Sequence, residues 1–200
     1  MTLYHKVRAV ERVFHQLEKD VATFQQATTL GCLSGCGRCC QKSDINATSL
    51  EFLPFAYHLY KTGEALRWHE HLNNDRDNHH CPAFSPFLRP GDKGFCQAYA
   101  YRGLICRLFG FSAMMDKYGD PRLVTCRPIK ETFPASVEKA HQHIAEGKST
   151  PVMRNYYFQL RSIDPDMGNR LMPINLAILE ALKTVLSYYA YPSRYRKKAW

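Results

Sequence analysis

The stretch GCLSGCGRCC, residues 31–40, sets Cys32, Cys36, Cys39 and Cys40 within nine positions. Thiolates are soft ligands for zinc and iron, and such a site needs several sulfurs on one side of a short segment. Cys36 and Cys39 have the C-x2-C spacing that brings two sulfurs to one ion from a tight turn. Gly35 and Gly37 suit that turn, because glycine takes positive φ at little cost and leaves N–H groups free to donate to sulfur. Cys32 and Cys36 are four apart, the spacing of one helical turn. Cys39 and Cys40 are neighbours, and neighbouring side chains diverge. Either the two serve different centres, or one of them is not a ligand.

Cys81, Cys96, Cys106 and Cys126 complete a set of eight. Structural zinc takes four ligands, with sulfur at about 2.3 Å, and iron–sulfur clusters are mostly held by four thiolates. Eight cysteines therefore make two four-sulfur sites, or one site and spare thiols, with Zn²⁺ or an iron–sulfur cluster as the candidate cofactor. A structural zinc site contributes roughly 10–16 kcal/mol of apparent binding energy, against a whole-domain stability of about 5–15 kcal/mol. The middle of the chain is therefore expected to need its metal to fold. Each four-thiolate site would carry a formal charge of about −2. Arg38, Arg102 and Arg107, close in sequence to Cys39 or Cys106, are expected to offset that charge and donate to sulfur. Free cysteine is also a good core residue. The isolated Cys126 suits that role, whereas four cysteines among glycines and polar residues suit it poorly.

The rest of the composition argues for reduced thiols. The opening MTLYHKVRAVERVF carries charge through every turn and no apolar run, unlike a secretory leader. The most apolar stretch, around Ile174 to Leu186, is interrupted by Asn175, Glu180 and Lys183, so no membrane span is expected. The expected compartment is the cytoplasm, where clustered cysteines signal metal rather than disulfides. A chain of 200 residues can bury a core without cross-links. The formal net charge is +9, and beyond Glu180 there is no acidic residue, while Lys183, Arg194, Arg196, Lys197 and Lys198 are all basic. The tail YYAYPSRYRKKAW mixes Tyr188, Tyr189, Tyr191, Tyr195 and Trp200 with the last four of these charges, a pattern suited to stacking and phosphate contact with nucleic acid. The simpler reading has the tyrosines closing the apolar face of a last helix and the charges solubilising its end.

The elements that must position the cysteines follow from periodicity. Leu3, Val7, Val10, Phe14, Leu17, Val21 and Phe24 alternate spacings of four and three, which predicts one helix from residue 3 to about 28. Its seam could pair with a second chain or with another helix of this one. Ile174, Ile178, Leu182, Val185 and Tyr189, widened by Leu179 and Leu186, offer an apolar face over 174–190. Thr48 and Glu51 form a capping-box pattern ahead of a helix over 49–61. After Gly63 a second helix follows, and PASVEKAHQHIAEG predicts another over 134–146. Hairpins are expected in CPAFSPFLRPGDKGFCQAY and FSAMMDKYGDPRLVTC, with Cys106 on a short helical turn between them. SIDPDMGNRLMP reads as a linker. The expectation is a single domain over 1–200, with a cysteine-cluster core at 31–127 and flanking helices at 1–30 and 128–200. The fold class is mainly α, with an irregular, small-hairpin-containing, cysteine-rich middle clamped between the flanks.

Two family patterns come near these residues. Cys32, Cys36 and Cys39 share the C-x3-C-x2-C spacing of radical S-adenosylmethionine enzymes. That family usually has an aromatic residue where this chain has Arg38, and a strand where a long helix is predicted. CLSGCGRCC, a later Cys81-Pro82, and GFCQAYAYRGLICRLFG more closely resemble the cysteine-cluster family of zinc- or iron-chelating domains, also called CxxCxxCC or YkgJ-like. The likeness spans about 31–127 and gives all eight cysteines a place. Its C-x-I-Y-x-x-R-P-x-x-C-R segment is similar to Cys96, Tyr99, Arg102, Gly103, Cys106 and Arg107 here. Gly103 stands where proline is common, and the first cysteine gap is three residues rather than two. The resemblance implies a metal-chelating domain. Members often carry the label of iron–sulfur oxidoreductase, and a larger relative, flagellin lysine N-methylase, has a similar motif. Redox and methyltransferase-like activities are thus the enzymatic alternatives to chelation.

The other polar residues give no competing site. His79 and His80 read as exposed loop residues. His69 and His71, like His141 and His143, lack the H-E-x-x-H spacing that sets two imidazoles on one helical face, and both pairs read as solvated. Asp116, Asp120, Asp164 and Asp166 fall in predicted turns and form no carboxylate pair for acid–base work.

Overall fold

A computed structural model describes residues 1–33, 35–85 and 94–190. The seam at the start becomes α1 (Leu3–Thr28), with Leu3, Val7, Val10, Phe14, Leu17 and Phe24 buried and Val21 half-buried. Thr2 caps it, accepting the His5 N–H at 3.3 Å. It stops at Thr29, which turns into the left-handed region and donates its N–H to Gln25 O at 2.7 Å. The chain then runs irregularly past the first cysteines into β1 (Asn46–Thr48) and a 3-10 turn over Leu50–Phe52. That turn takes the place of the first turn of the expected 49–61 helix. The α-helix proper, α2 (Leu53–Lys61), starts beyond it with Pro54 in its first turn, where a missing N–H costs nothing. Next come α3 (Ala65–Asn74), β2 (Phe84–Ser85) and β3 (Phe95–Cys96).

A second 3-10 turn over Tyr99–Tyr101 leads into α4 (Leu104–Leu108). It is followed by β4 (Ser112–Met115), β5 (Pro121–Val124), α5 (Arg127–Thr132), α6 (Pro134–Ala145) and α7 (Met153–Ile163). The last elements are α8 (Pro165–Asn169), β6 (Leu171–Pro173) and α9 (Ile174–Ala190). Both expected hairpins are present, as the antiparallel pairs β2–β3 and β4–β5. The turn of the first, and residues 191–200 with most of the basic aromatic tail, lie outside the described residues. The protein is mainly α, with small two-stranded antiparallel sheets. Among the described residues, no helix is long and apolar enough to cross a membrane.

The expected linker is built structure instead. Asp164 caps α8 by accepting the Met167 N–H at 3.1 Å, and the Lys6 ammonium pairs with it at 2.5 Å. Residues 171–173 then pair antiparallel with β1, Asn46 facing Pro173 and Thr48 facing Leu171. Such a strand is invisible in sequence, because its partner lies more than 120 residues away and three residues carry no period. Pairing β6 with β1 fixes the start of α9 beside the cysteine-rich segment.

Apolar burial divides the molecule into two parts. The larger core joins the α1 seam to Leu50, Leu53 and Ala56, to Leu104 and Leu108 of α4, and to Ile178, Leu179 and Leu182 of α9. α9 packs on α2 and α3, while α1 packs on α2, α4, α6 and α7. The α1 seam is therefore covered from within the chain, and α2 packs on both terminal helices. A smaller core gathers Phe24 and Leu30 from the end of α1 with Ala113, Ile129, Val137, Ala140 and Ile144. His143 joins its edge, its ring edge-on to Phe24 at 5.4 Å and its Nε2 3.0 Å from Ser149 O, and so is less solvated than its position in the sequence suggests.

Candidate metal centre

All eight cysteines are free thiols. The first four sit on two successive turns: Cys36 N–H donates to Leu33 O at 3.2 Å, and Cys40 N–H to Gly37 O at 2.9 Å. Gly35 and Gly37 hold φ of 64° and 55°, values a side chain would resist, so the glycines do what their spacing suggests. Cys39 Sγ and Cys40 Sγ lie 4.0 Å apart. One of this pair ionises readily and the other does not. The Cys40 hydrogen bond draws Cys39 below the ordinary thiol range, with help from the Arg102 charge, and the shared proton pushes Cys40 up.

The remaining cysteines come from three separate elements. Cys81 precedes β2, and its thiol is pushed up to about 11, by burial first and by the charges of Cys96 and Cys39. The N–H groups of Ala83 and Phe84 point at its sulfur and act the other way. Cys96 faces Phe84 across the hairpin, and Phe84 N–H donates to Cys81 O at 3.0 Å, which links the two cysteine backbones. Burial also raises Cys96, against the Ala98 N–H and Arg102. Cys106 lies on α4, where burial raises its thiol and the charges of Cys81, Glu51 and Cys96 add to the effect. Cys126 stands just before α5, half-buried against the smaller core. Cys32 is raised by burial and by the charges of Cys36, Cys39 and Cys126.

The three expected arginines behave differently. Arg102 lies with its guanidinium carbon 3.6 Å from the Tyr99 ring centroid, and its charge acts on Cys39, Cys96 and Cys106. Arg107 is buried, and its described hydrogen bonds end on oxygen. It pairs with Glu18 of α1 and donates to Ala100 O at 2.7 Å and Arg102 O at 2.9 Å. It braces the segment between Cys96 and Cys106 against α1. Arg38 is exposed in the turn that carries Cys39.

The sequence shows Glu51 as a capping residue but not its larger part. Its carboxylate is fully buried, with one oxygen accepting Thr48 N–H at 2.7 Å and Thr48 Oγ1 at 3.1 Å. The other oxygen accepts Ile105 N–H at 2.9 Å. A single side chain thus ties the start of α2 to the helix that carries Cys106. Burial raises its carboxyl, although these donors oppose the shift. Only the T-x-x-E pattern hints at this in the sequence, and nothing local reveals the reach to residue 105. Gly103 belongs to the same junction. A Cβ there would stand 2.7 Å from Phe52 Cζ and 2.9 Å from Glu51 Oε2, so Phe52 fills the space that a proline ring would need. Tyr101 fastens the segment from the α2 side, its hydroxyl 2.9 Å from His58 Nδ1 and the two rings stacked at 4.1 Å. A cleft of about 490 Å³ reaches Cys81, bordered by His71, Asp75, His80 and Asn175. The Asn175 Oδ1 is buried there without a hydrogen-bond partner among the described residues.

Among the described residues, no three His, Cys, Asp or Glu side chains form a ready ion site. The donor set nevertheless fits a thiophilic ion. The thiols are free, several raise one another's cost of ionisation, and backbone N–H groups already point at Cys81 and Cys96.

The fold and the site together define a helical protein folded about a segment rich in free cysteines. Residues 31–132, just over half of the chain, match the model of the CxxCxxCC family, described as "Putative zinc- or iron-chelating domain", and the chain belongs to that family. Comparison with curated proteins and with solved structures gave no match.

Proposed function

We propose that this protein is a metal chelator whose ligands are Cys32, Cys36, Cys39, Cys40, Cys81, Cys96, Cys106 and Cys126, arranged in two neighbouring thiolate centres. The ion is Zn²⁺ or the iron of an iron–sulfur cluster. The observation that carries this reading is that all eight cysteines are free thiols and fall within the stretch 31–132 that matches the chelating family, and the electrostatic reach of the sulfurs on one another accords with it. The charge of Cys39 weighs on Cys32, Cys81 and Cys96, and that of Cys81 on Cys106. Such a gathering of free thiols is costly to ionise alone and is favourable around a cation. Arg102 supplies outer positive charge, and the N–H groups of Ala83 and Ala98 would hold the ligating sulfurs in orientation. Bound metal stabilises the irregular segments that apolar packing does not, a structural, chaperoning or regulatory service rather than a defined reaction.

Anaerobic purification followed by elemental analysis and an absorption spectrum tests this. Stoichiometric zinc in a colourless protein, or iron with sulfide in a brown one absorbing broadly near about 400 nm, supports chelation and names the ion. Protein that folds with neither metal refutes it.

A further inference from the structure

The basic aromatic stretch late in the sequence, and the surface it springs from, carry none of the eight cysteines. α9 closes with Tyr188 and Tyr189, both half-buried on the larger core, as a last helix finishing its apolar face would have them. The aromatic surface does not stop there. The Tyr189 ring stacks on Tyr60 near the end of α2, with centroids 4.3 Å apart and planes within 11°. Tyr57, about one turn earlier on α2, has its ring 6.3 Å from that of Tyr189 and is hydrogen-bonded to it. Tyr4 of α1 meets Tyr57 edge-on at 6.2 Å. Five tyrosines from three helices thus form one platform. Its margins stay in solvent, Tyr4 being 50% exposed and Tyr60 36%.

Charge at the platform favours an anion. Glu11, in the first turns of α1, is paired with Arg8, Glu64 just beyond α2 with Arg67, and Glu180 of α9 with Lys183. Lys61, exposed beside Tyr60, has no carboxylate partner among the described residues. After Ala190 the sequence continues YPSRYRKKAW, which adds Arg194, Arg196, Lys197 and Lys198 and no acid. At no more than about 3.6 Å per residue, those four stay within about 30 Å of Ala190 however the backbone runs. Aromatic rings offer a face to any base, and cations beside them take the phosphates, which is how unpaired strands are held. A membrane surface fits less well. An interfacial anchor buries a broad apolar face, whereas from Tyr188 to Trp200 there is no Leu, Ile, Val, Met or Phe. We propose that the tyrosine platform and the basic stretch together bind a single strand of nucleic acid, its bases on the rings and its phosphates on the cations. The cysteines take no part, so this binding and chelation stand or fall separately.

Fluorescence anisotropy of a labelled oligouridylate with the full chain, across a salt series, tests the proposal. The wild type is expected to prefer the oligouridylate to a duplex of the same length and to vesicles of phosphatidylserine and phosphatidylcholine. Its log K should fall linearly with log salt. The combined variant Arg194→Gln, Arg196→Gln, Lys197→Gln and Lys198→Gln should flatten that slope by up to about 3, at about 0.7 per lost phosphate contact. Tyr60→Ala should weaken binding about tenfold or more and leave the slope unchanged. A second measurement needs no variant. Ultraviolet cross-linking of the oligouridylate to the wild type, mapped by mass spectrometry, should label residues within 57–61 or 188–200. No binding at low salt, equal binding to duplex or vesicles, full affinity in Tyr60→Ala, or cross-links confined to other segments would each overturn the proposal.

Discussion

The helical frame and the cysteine-bearing middle are held by different forces. In the frame, α1 runs for 26 residues and α9 for 17, and their apolar faces are covered by α2 and its neighbours. In the middle, β2 and β3 have two residues each and α4 has five. Hairpins and helices that short are not stable alone in water. What holds them is the burial of Leu104 and Leu108 in the larger core together with single anchors: Glu51 on Ile105, Arg107 on Glu18 and Tyr101 on His58. The frame is a product of periodic burial, while the middle is a set of points fixed one by one. A ligand that binds several of those points at once therefore governs the middle far more than the frame.

Removing metal should show this contrast most strongly. Chelation under anaerobic conditions is expected to cost the middle on the order of 10 kcal/mol of apparent stabilisation. Hydrogen exchange would then report lost protection over 35–40, 81–85 and 94–106, with α1 and α9 still protected. Equal loss in both regions would erase the distinction. Glu51→Ala strikes the junction between them. It leaves the buried N–H groups of Thr48 and Ile105 without an acceptor, at about 3–5 kcal/mol by denaturant unfolding, and should weaken metal retention as well. Leu182→Ala falls in the frame alone, where the residue is fully buried. It should cost about 2–5 kcal/mol while metal per chain stays unchanged. Gly103→Ala forces a methyl group against Phe52 and should cost about 1–3 kcal/mol.

The smallest effect is a pH effect confined to the frame. Burial would raise the Asp164 carboxyl, but the Lys6 ammonium and the Met167 N–H outweigh it and hold it below its ordinary value of 3.8. A carboxyl depressed on folding contributes stability that is present above 3.8 and lost as pH falls through the lower, folded-state value. Asp164→Asn should therefore cost about 1 kcal/mol at neutral pH. Thermal melts of variant and wild type should draw together as pH falls below 3.8 and through the lower, folded-state value, and comparing the two cancels any acid loss of metal common to both.

The same division explains what was legible in the sequence. α1 and α9 could be read residue by residue, because a long apolar period specifies both the helix and its buried face. Both hairpins could be read from glycine and proline turn signals flanking short apolar runs. The residues 164–173 could not, since α8 depends on one aspartate cap and β6 on a distant partner. In the site, the cysteines and glycines of 31–40 announced themselves by spacing. The reach of Glu51 to Ile105 and the turning of Arg107 toward Glu18 are long-range facts with no local signature.

X-ray absorption at the metal edge of the anaerobically purified, full-length protein tests the central claim most directly. The account predicts a first shell of about four sulfurs per metal atom, near about 2.3 Å whether the metal is zinc or cluster iron. A first shell made of nitrogen and oxygen alone would contradict it.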